Sequence, residues 1–204
     1  MNNIEIIIFA NSFKHHQHCV AGKYIKTGQW VRAVSNSEGA ELNHDQAKCQ
    51  NPHGTYNVKP LQKVLMNFSS HAPLKHQPEN YVIDDSRWRQ NYKIADEELK
   101  SYLDNPDHLW GSSDRVAYSS ILSGQITIMQ SLYLVQVQNM KLFKNKYGKR
   151  RALFSYKGLA YDLAVTDPNF DRIVDNNTNV QGILCISLGE EFEGNCYKIV
   201  ATIF

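Results

Sequence analysis

Apolar and polar positions along this chain alternate in short blocks. Most blocks have the length and residue types of β-strands. Residues 4–10 are apolar apart from Glu5 and rich in isoleucine, which predicts a short buried strand. Residues 19–25 and 29–35 flank Lys26-Thr27-Gly28, a turn in which glycine supplies a positive φ, so the two runs predict a hairpin. Further strand patterns lie at residues 61–68, 125–137, 151–156, 159–165, 182–188 and 197–204. Lys157-Gly158 closes a tight hairpin between two of them. Apolar side chains on both faces of residues 132–137 place that strand centrally.

One segment departs from the two-residue period. Ile94, Ala95, Leu99, Tyr102 and Leu103 recur at helical spacing, and Asn105-Pro106 follows as a stop. The spacing predicts a helix over residues 94–103, with β-rich sequence on either side. The chain therefore reads as mostly β: a first small barrel over residues 1–85, a helical segment joining the two over 86–112, and a second barrel over 113–204.

Composition narrows the classes. A length of 204 residues suits one domain or two small ones, since a domain takes about 100–200. Hydrophobic residues at 42% and charged residues at 21% exclude disordered, collagen-like and coiled-coil chains. Cys19, Cys49, Cys185 and Cys196 are never spaced as CxxC, which argues against a disulfide scaffold and a zinc ribbon. No apolar run reaches the roughly 18 residues of a membrane span. Residues 4–10 also lack the basic flank of a leader. The expectation is a cytoplasmic protein with reduced thiols and no membrane partner.

The net charge of +2 hides an asymmetry. Residues 1–110 hold 12 basic and 12 acidic side chains; residues 111–204 hold 10 and 8. Residues 141–157 carry seven basic residues and no acid, whereas residues 162–193 carry seven acids against Arg172 alone. A cationic segment is thus followed by an anionic one.

Several short pieces occur in a telling order: Gly28-Gln29-Trp30-Val31-Arg32-Ala33-Val34-Ser35, Gln77-Pro78-Glu79-Asn80, Tyr161-Asp162-Leu163-Ala164-Val165-Thr166-Asp167-Pro168, Ile186-Ser187-Leu188-Gly189-Glu190, and Tyr197-Lys198-Ile199-Val200-Ala201. Together they resemble the bacterial dual-OB domain family over nearly the whole chain. Ala33 stands where that family's tryptophan–arginine strand is expected to carry proline. The resemblance implies two OB-like β-barrels and recognition of nucleic acid or nucleotide, in bacterial conflict or repair systems. It brings no catalytic residues to transfer.

Candidate chemistry comes from the residues. Alternation puts Trp30, Arg32 and Val34 on one strand face, where an indole stacks on a base and a guanidinium meets a phosphate. The alternative is that Trp30 fills the barrel and Arg32 pairs with a carboxylate. In the cationic segment, Lys144, Lys146, Lys149, Arg150 and Arg151 lead into a strand holding Phe154 and Tyr156, with Tyr147 and Tyr161 near in sequence. Basic residues among aromatics suit an OB groove, although a solvated hairpin with Phe154 in the core fits the same pattern. His15-His16-Gln17-His18-Cys19 invites a metal, but Cys19 points away from the face shared by His16 and His18. A polyanion surface with Lys14 suits this tract better. Asp84, Asp85 and Asp167 sit at turn signals rather than as a strand-borne carboxylate pair.

The expected function is a non-enzymatic module that binds nucleic acid or a nucleotide-like polyanion through Lys14, Trp30, Arg32, Lys149, Arg150, Arg151, Tyr156 and Tyr161, with no catalytic residue, metal or cofactor. Two alternatives stand beside it. One is a metal-dependent nuclease or nucleotide-processing enzyme using His15, His16, His18 and Asp167. The other is a protein-interaction adaptor, with a protein as partner.

Overall fold

The computed structural model describes residues 3–14 and 17–204. The chain divides into two compact units, Met1–Tyr102 and Leu103–Phe204, and each contains one sheet. The first sheet is built from β1 (Ile4–Lys14), β2 (Gln17–Tyr24), β3 (Trp30–Val34), β4 (Lys48–Asn51), β5 (Gly54–Asn57), β6 (Gln62–Met66), β7 (Phe68–His71), β8 (Asn80–Ile83) and β9 (Trp88–Lys93). Its order is β5-β4-β9-β6-β1-β2-β3-β8-β7. The second unit contributes β10 (Arg115–Ala117), β11 (Leu132–Gln136), β12 (Gln138–Lys144), β13 (Arg150–Tyr156), β14 (Leu159–Val165), β15 (Ile183–Phe192) and β16 (Asn195–Ile203). There the order is β11-β15-β16-β14-β13-β12, with β10 also on β16.

Closed barrels were expected, and neither sheet is one: each hydrogen-bond ladder ends in two open edges. The edges are nevertheless related. In the second sheet the edge strands β11 and β12 are consecutive, with Val137 alone between them. In the first, β7 follows β6 after Asn67 alone. Each circuit of strands thus returns to its start through one bent segment of chain, with no hydrogen-bonded pair closing it. In both units the circuit contains one parallel pairing, β3 with β8 and β14 with β16.

Burial explains the apolar runs. Ile4, Ile6 and Ile8 pack with Val31, Ala33, Val64, Met66 and Trp88, while Ile7 and Phe9 are buried as well. The outer side of β1–β3 holds the Phe9 ring 5.8 Å from Trp30 and 5.6 Å from Tyr102. In the second unit Phe154, Tyr161, Leu163, Leu184, Ile186 and Val200 form the core. The short helix α2 (Phe170–Asp175) adds Phe170 and Ile173 to it.

The expected helix over 94–103 is a 3₁₀ helix at Asp96–Tyr102, with Leu99 as its buried residue. Glu98 accepts from the Ala95 amide at 2.8 Å, a side-chain cap at its entry. Of the segment 86–112, residues Trp88–Lys93 are strand β9 of the first sheet. The strand expected over 125–137 begins only at Leu132, after the short helix α1 (Tyr118–Leu122) and a connecting loop. Among the described residues no helix is long and apolar enough to cross a membrane.

Gly22 shows how tightly β1 and β2 approach beside the bulge between Ile8 and Ala10. A β-carbon at Gly22 would lie 2.1 Å from the Ile7 carbonyl oxygen and 2.7 Å from Ile6 Cγ2. Gly22→Ala must spread the strands, at a cost of about 1–3 kcal/mol by analogy with overpacked cores. Urea unfolding monitored by circular dichroism measures it, and an unchanged midpoint would show that the strands separate freely.

Candidate nucleic-acid interface

The cationic segment folds as the β12–β13 hairpin. Its turn is organised by one side chain: Asn145 Oδ1 accepts from the amides of Tyr147 and Lys149, both at 3.0 Å. Gly148 at φ 73 supplies the left-handed step. The Asn145 amide bonds the Lys149 carbonyl at 2.9 Å. An aromatic in such a turn has no core to enter, and Tyr147 is 73% exposed. Lys146 Nζ lies 5.0 Å from its ring centroid.

Three of the seven cations, Lys144, Arg150 and Arg151, are met by the anionic segment that follows. Asp171 on α2 takes Lys144 at 2.9 Å through one oxygen and Arg150 through the other. These two cations, led by the Lys144 hydrogen bond, hold the Asp171 carboxyl below its usual pKa. Arg150 also donates to the Asp167 carbonyl at 3.3 Å and lies over the Phe170 ring. Arg151 donates to Asp162 Oδ1 at 2.8 Å and to its carbonyl at 2.6 Å. Lys157 reaches Asp107 at 3.6 Å. Lys141, Lys146 and Lys149 make no ion pair among the described residues. They are exposed on β12 and at the turn. Register places Lys141 opposite Leu153 and Phe143 opposite Arg151, so these four share the outward face of the hairpin.

The aromatic residues expected to stack are inside. Tyr156 is 6% and Tyr161 2% exposed. Tyr156 donates its hydroxyl to the Pro106 carbonyl at 2.8 Å, and burial above all pushes its pKa up to about 12. The Tyr161 hydroxyl donates to the Gly111 carbonyl at 3.1 Å and accepts from the Leu109 amide at 3.3 Å. Neither ring offers a free face to a base, which corrects the expectation for both. The reason is register: Arg150, Ala152, Phe154 and Tyr156 share the face turned to the core.

Trp30 is likewise a core residue at 5% exposure, with Lys23 Nζ 5.1 Å from its ring centroid. Arg32 is buried and lies 3.6 Å from Glu79. The carboxylate-paired alternative therefore describes Arg32. Trp30 neither stacks on a ligand nor fills the barrel: it is buried on the outer side of β1–β3, against Phe9. Lys14 ends β1, but its side chain lies outside the described residues, as do His15 and His16 entirely. His18 is buried, with Nδ1 2.8 Å from Asn11 Oδ1 and Nε2 3.3 Å from His44 Nδ1. Burial first, then His44, lowers its pKa.

Asp167 is buried and accepts from the amides of Asn169 at 2.7 Å and Ile203 at 2.8 Å. It ties the last strand to the turn before α2, and burial raises its pKa. Asp84 caps its own turn by accepting from the Ser86 amide at 2.9 Å. Among the described residues no three histidine, cysteine or carboxylate side chains gather as a metal site.

Tyr147, Lys141 and Lys146 belong to the cationic segment but stand outside the set of residues expected to bind. The sequence Asn145-Lys146-Tyr147-Gly148-Lys149 carries the clue, because a turn centred on asparagine and glycine projects what lies between them.

Known families bear on this geometry. A family model described as a dual OB-containing domain matches residues 4–203, nearly the whole chain. No curated protein and no solved structure matches it.

Behind the hairpin, Lys198 is buried on β16. Its Nζ donates to the carbonyls of Gly111, at 2.8 Å, and Ser113. Burial lowers its pKa from 10.5 to about 8. Unfolded, Lys198 keeps its proton up to about 10.5, so between the two values the unfolded state binds more protons and stability rises with pH. Between about pH 7 and pH 9 the wild type should gain about 1 kcal/mol relative to Lys198→Met. Urea titrations of both proteins across that range measure it, and parallel pH profiles would refute the buried charge.

Proposed function

The chain belongs to the dual OB-containing domain family, and on that premise we propose that it is a non-enzymatic module binding single-stranded nucleic acid through the β12–β13 hairpin of its second unit. One observation carries this reading: an exposed tyrosine held in a side-chain-organised turn between two lysines that no carboxylate neutralises among the described residues. OB-type modules engage their ligands with the face of their central strands and the loops beside it. Here the outward face of β13 and of the edge strand β12 beside it carries Arg151, Leu153, Lys141 and Phe143, and the adjoining loop carries Lys146, Tyr147 and Lys149.

The division of labour follows from the chemistry. A tyrosine ring stacks on any base, so Tyr147 supplies affinity without sequence preference. The three lysines meet phosphates and release counterions, which makes binding salt-dependent. Arg150 and Arg151 act mainly within the protein, holding α2 and β14. A role in conflict or repair systems belongs to the same proposal.

Fluorescence anisotropy with short single-stranded DNA and RNA over a salt series tests it. Lys146→Gln and Lys149→Gln should each lower the salt slope by about one unit. Tyr147→Ala should cost about 1–3 kcal/mol with little change of slope. Unchanged affinity in all three variants, with the circular dichroism spectrum intact, would remove the hairpin as the site. Metal-dependent turnover would point to the enzyme instead, and salt-insensitive retention of one protein partner to an adaptor.

A further inference from the structure

The first unit has an accessible surface of its own, away from the circuit of strands. Its sheet continues past β6 into β9, β4 and β5. β4 and β9 run parallel and pair at two positions only, Cys49 with Trp88 and Gln50 with Arg89. Beyond them a side chain replaces the ladder: Asn51 Nδ2 donates to Gln90 Oε1 at 2.8 Å. The space beside this junction is a groove of about 730 Å³ lined by Gln50, Asn51, Arg89, Gln90, Asn91 and Tyr92.

Strand alternation alone would put Arg89 and Tyr92 on opposite faces. A register shift cancels it. Gln90 pairs with Val64 and Tyr92 with Lys63, which leaves Asn91 as an extra residue on β9. Tyr92 therefore shares the face of Arg89, and Gln50 lies beside Arg89 in register. Tyr92 is 71% exposed. Arg89 makes no ion pair, and the Gln50 amide no hydrogen bond, among the described residues. The remaining amides are committed: Asn51 to Gln90, and Asn91 to Glu5 Oε1 at 2.9 Å. Beside these hydrogen-bonded amides, three side chains of the groove are left over for a ligand: an aromatic ring, one carboxamide and one guanidinium.

We propose that this groove binds an adenine nucleotide, with the base stacked on Tyr92, its N6/N7 edge read by the Gln50 amide, and the phosphate held by Arg89. A glutamine amide offers the donor–acceptor pair that adenine's N7 and N6 require. A guanidinium holds phosphate through paired hydrogen bonds. This site stands on its own observations and does not depend on the hairpin of the second unit.

Calorimetric titration of the full chain with AMP, adenosine, GMP and UMP tests it. Saturable binding of one AMP per chain is expected. Tyr92→Ala should weaken it about tenfold, within the range of a lost base stack, and Tyr92→Phe should restore it. Arg89→Gln should bring AMP down to the affinity of adenosine, and Gln50→Ala should erase the preference for AMP over UMP. Lys146→Gln should leave AMP binding as it is, which separates this site from the hairpin. All three groove positions lie on the surface, and circular dichroism confirms the fold of each variant. Absence of AMP binding at millimolar concentration overturns the proposal, as does equal affinity for UMP in the wild type. Affinity unchanged in Tyr92→Ala, or lost in Lys146→Gln, does the same.

Discussion

A strand that pairs with different neighbours along its two halves has to bend between them, and both units of this chain are organised around such a bend. In the first unit it falls at Asn67, whose side chain accepts from the Asn3 amide at 2.6 Å and donates to Ser86 Oγ at 3.0 Å. In the second it falls at Val137, which is buried and donates its amide to the Gly182 carbonyl at 2.8 Å. One bend is held by a polar side chain and the other by backbone and packing. Each lets six strands wrap a single apolar core without a closed ladder. The curvature also decides which face of each strand is inward, and every later question about the site depends on that.

Charge is handled by the same wrapping. Asp171 sits on α2, whose Phe170 and Ile173 are anchored in the core. That anchorage brings the carboxylate to Lys144 and Arg150, while β14 brings Asp162 to Arg151. The anionic part of the second unit therefore neutralises the base of the hairpin and leaves its tip cationic. Exposed pairs of this kind contribute little stability. Their consequence is to define which lysines of the hairpin keep their charge unpaired among the described residues, and to hold the hairpin in place as they do so.

The two units leave different surfaces accessible. On β1–β3 the outer side is occupied by Phe9, Trp30 and Tyr102, with Lys23 donating to the Tyr102 carbonyl at 2.7 Å. The corresponding outward face of β12–β13 carries Lys141, Phe143, Arg151 and Leu153. In the first unit the exposed polar surface moves instead to the added strands β9, β4 and β5. In both places an exposed aromatic ring lies beside a cation with no ion pair among the described residues, Tyr147 at a turn and Tyr92 beside a bulge.

Alternation and turn residues were enough to show a mostly β chain, the hairpins at Lys26-Thr27-Gly28 and Lys157-Gly158, and the helical turn near Leu99. The ordered short motifs were enough to point to the dual-OB family. The polar strands β4, β5 and β9 are not legible in the sequence, because Lys48–Asn51, Gly54–Asn57 and Trp88–Lys93 have no apolar alternation to mark them. The site was less legible than the fold. The cationic run was visible, but its partners Asp162 and Asp171 are 11 and 21 residues from the arginines they hold. Period two states that Tyr156 lies on the face of Phe154, and it cannot state which face the rest of the sheet covers. A single extra residue at Asn91 reversed the face of Tyr92. The sequence by itself determined which side chains travel together along a strand. Only the tertiary structure decided which of those sets meets the core and which meets solvent, because that is settled by strands and helices that arrive from elsewhere in the chain.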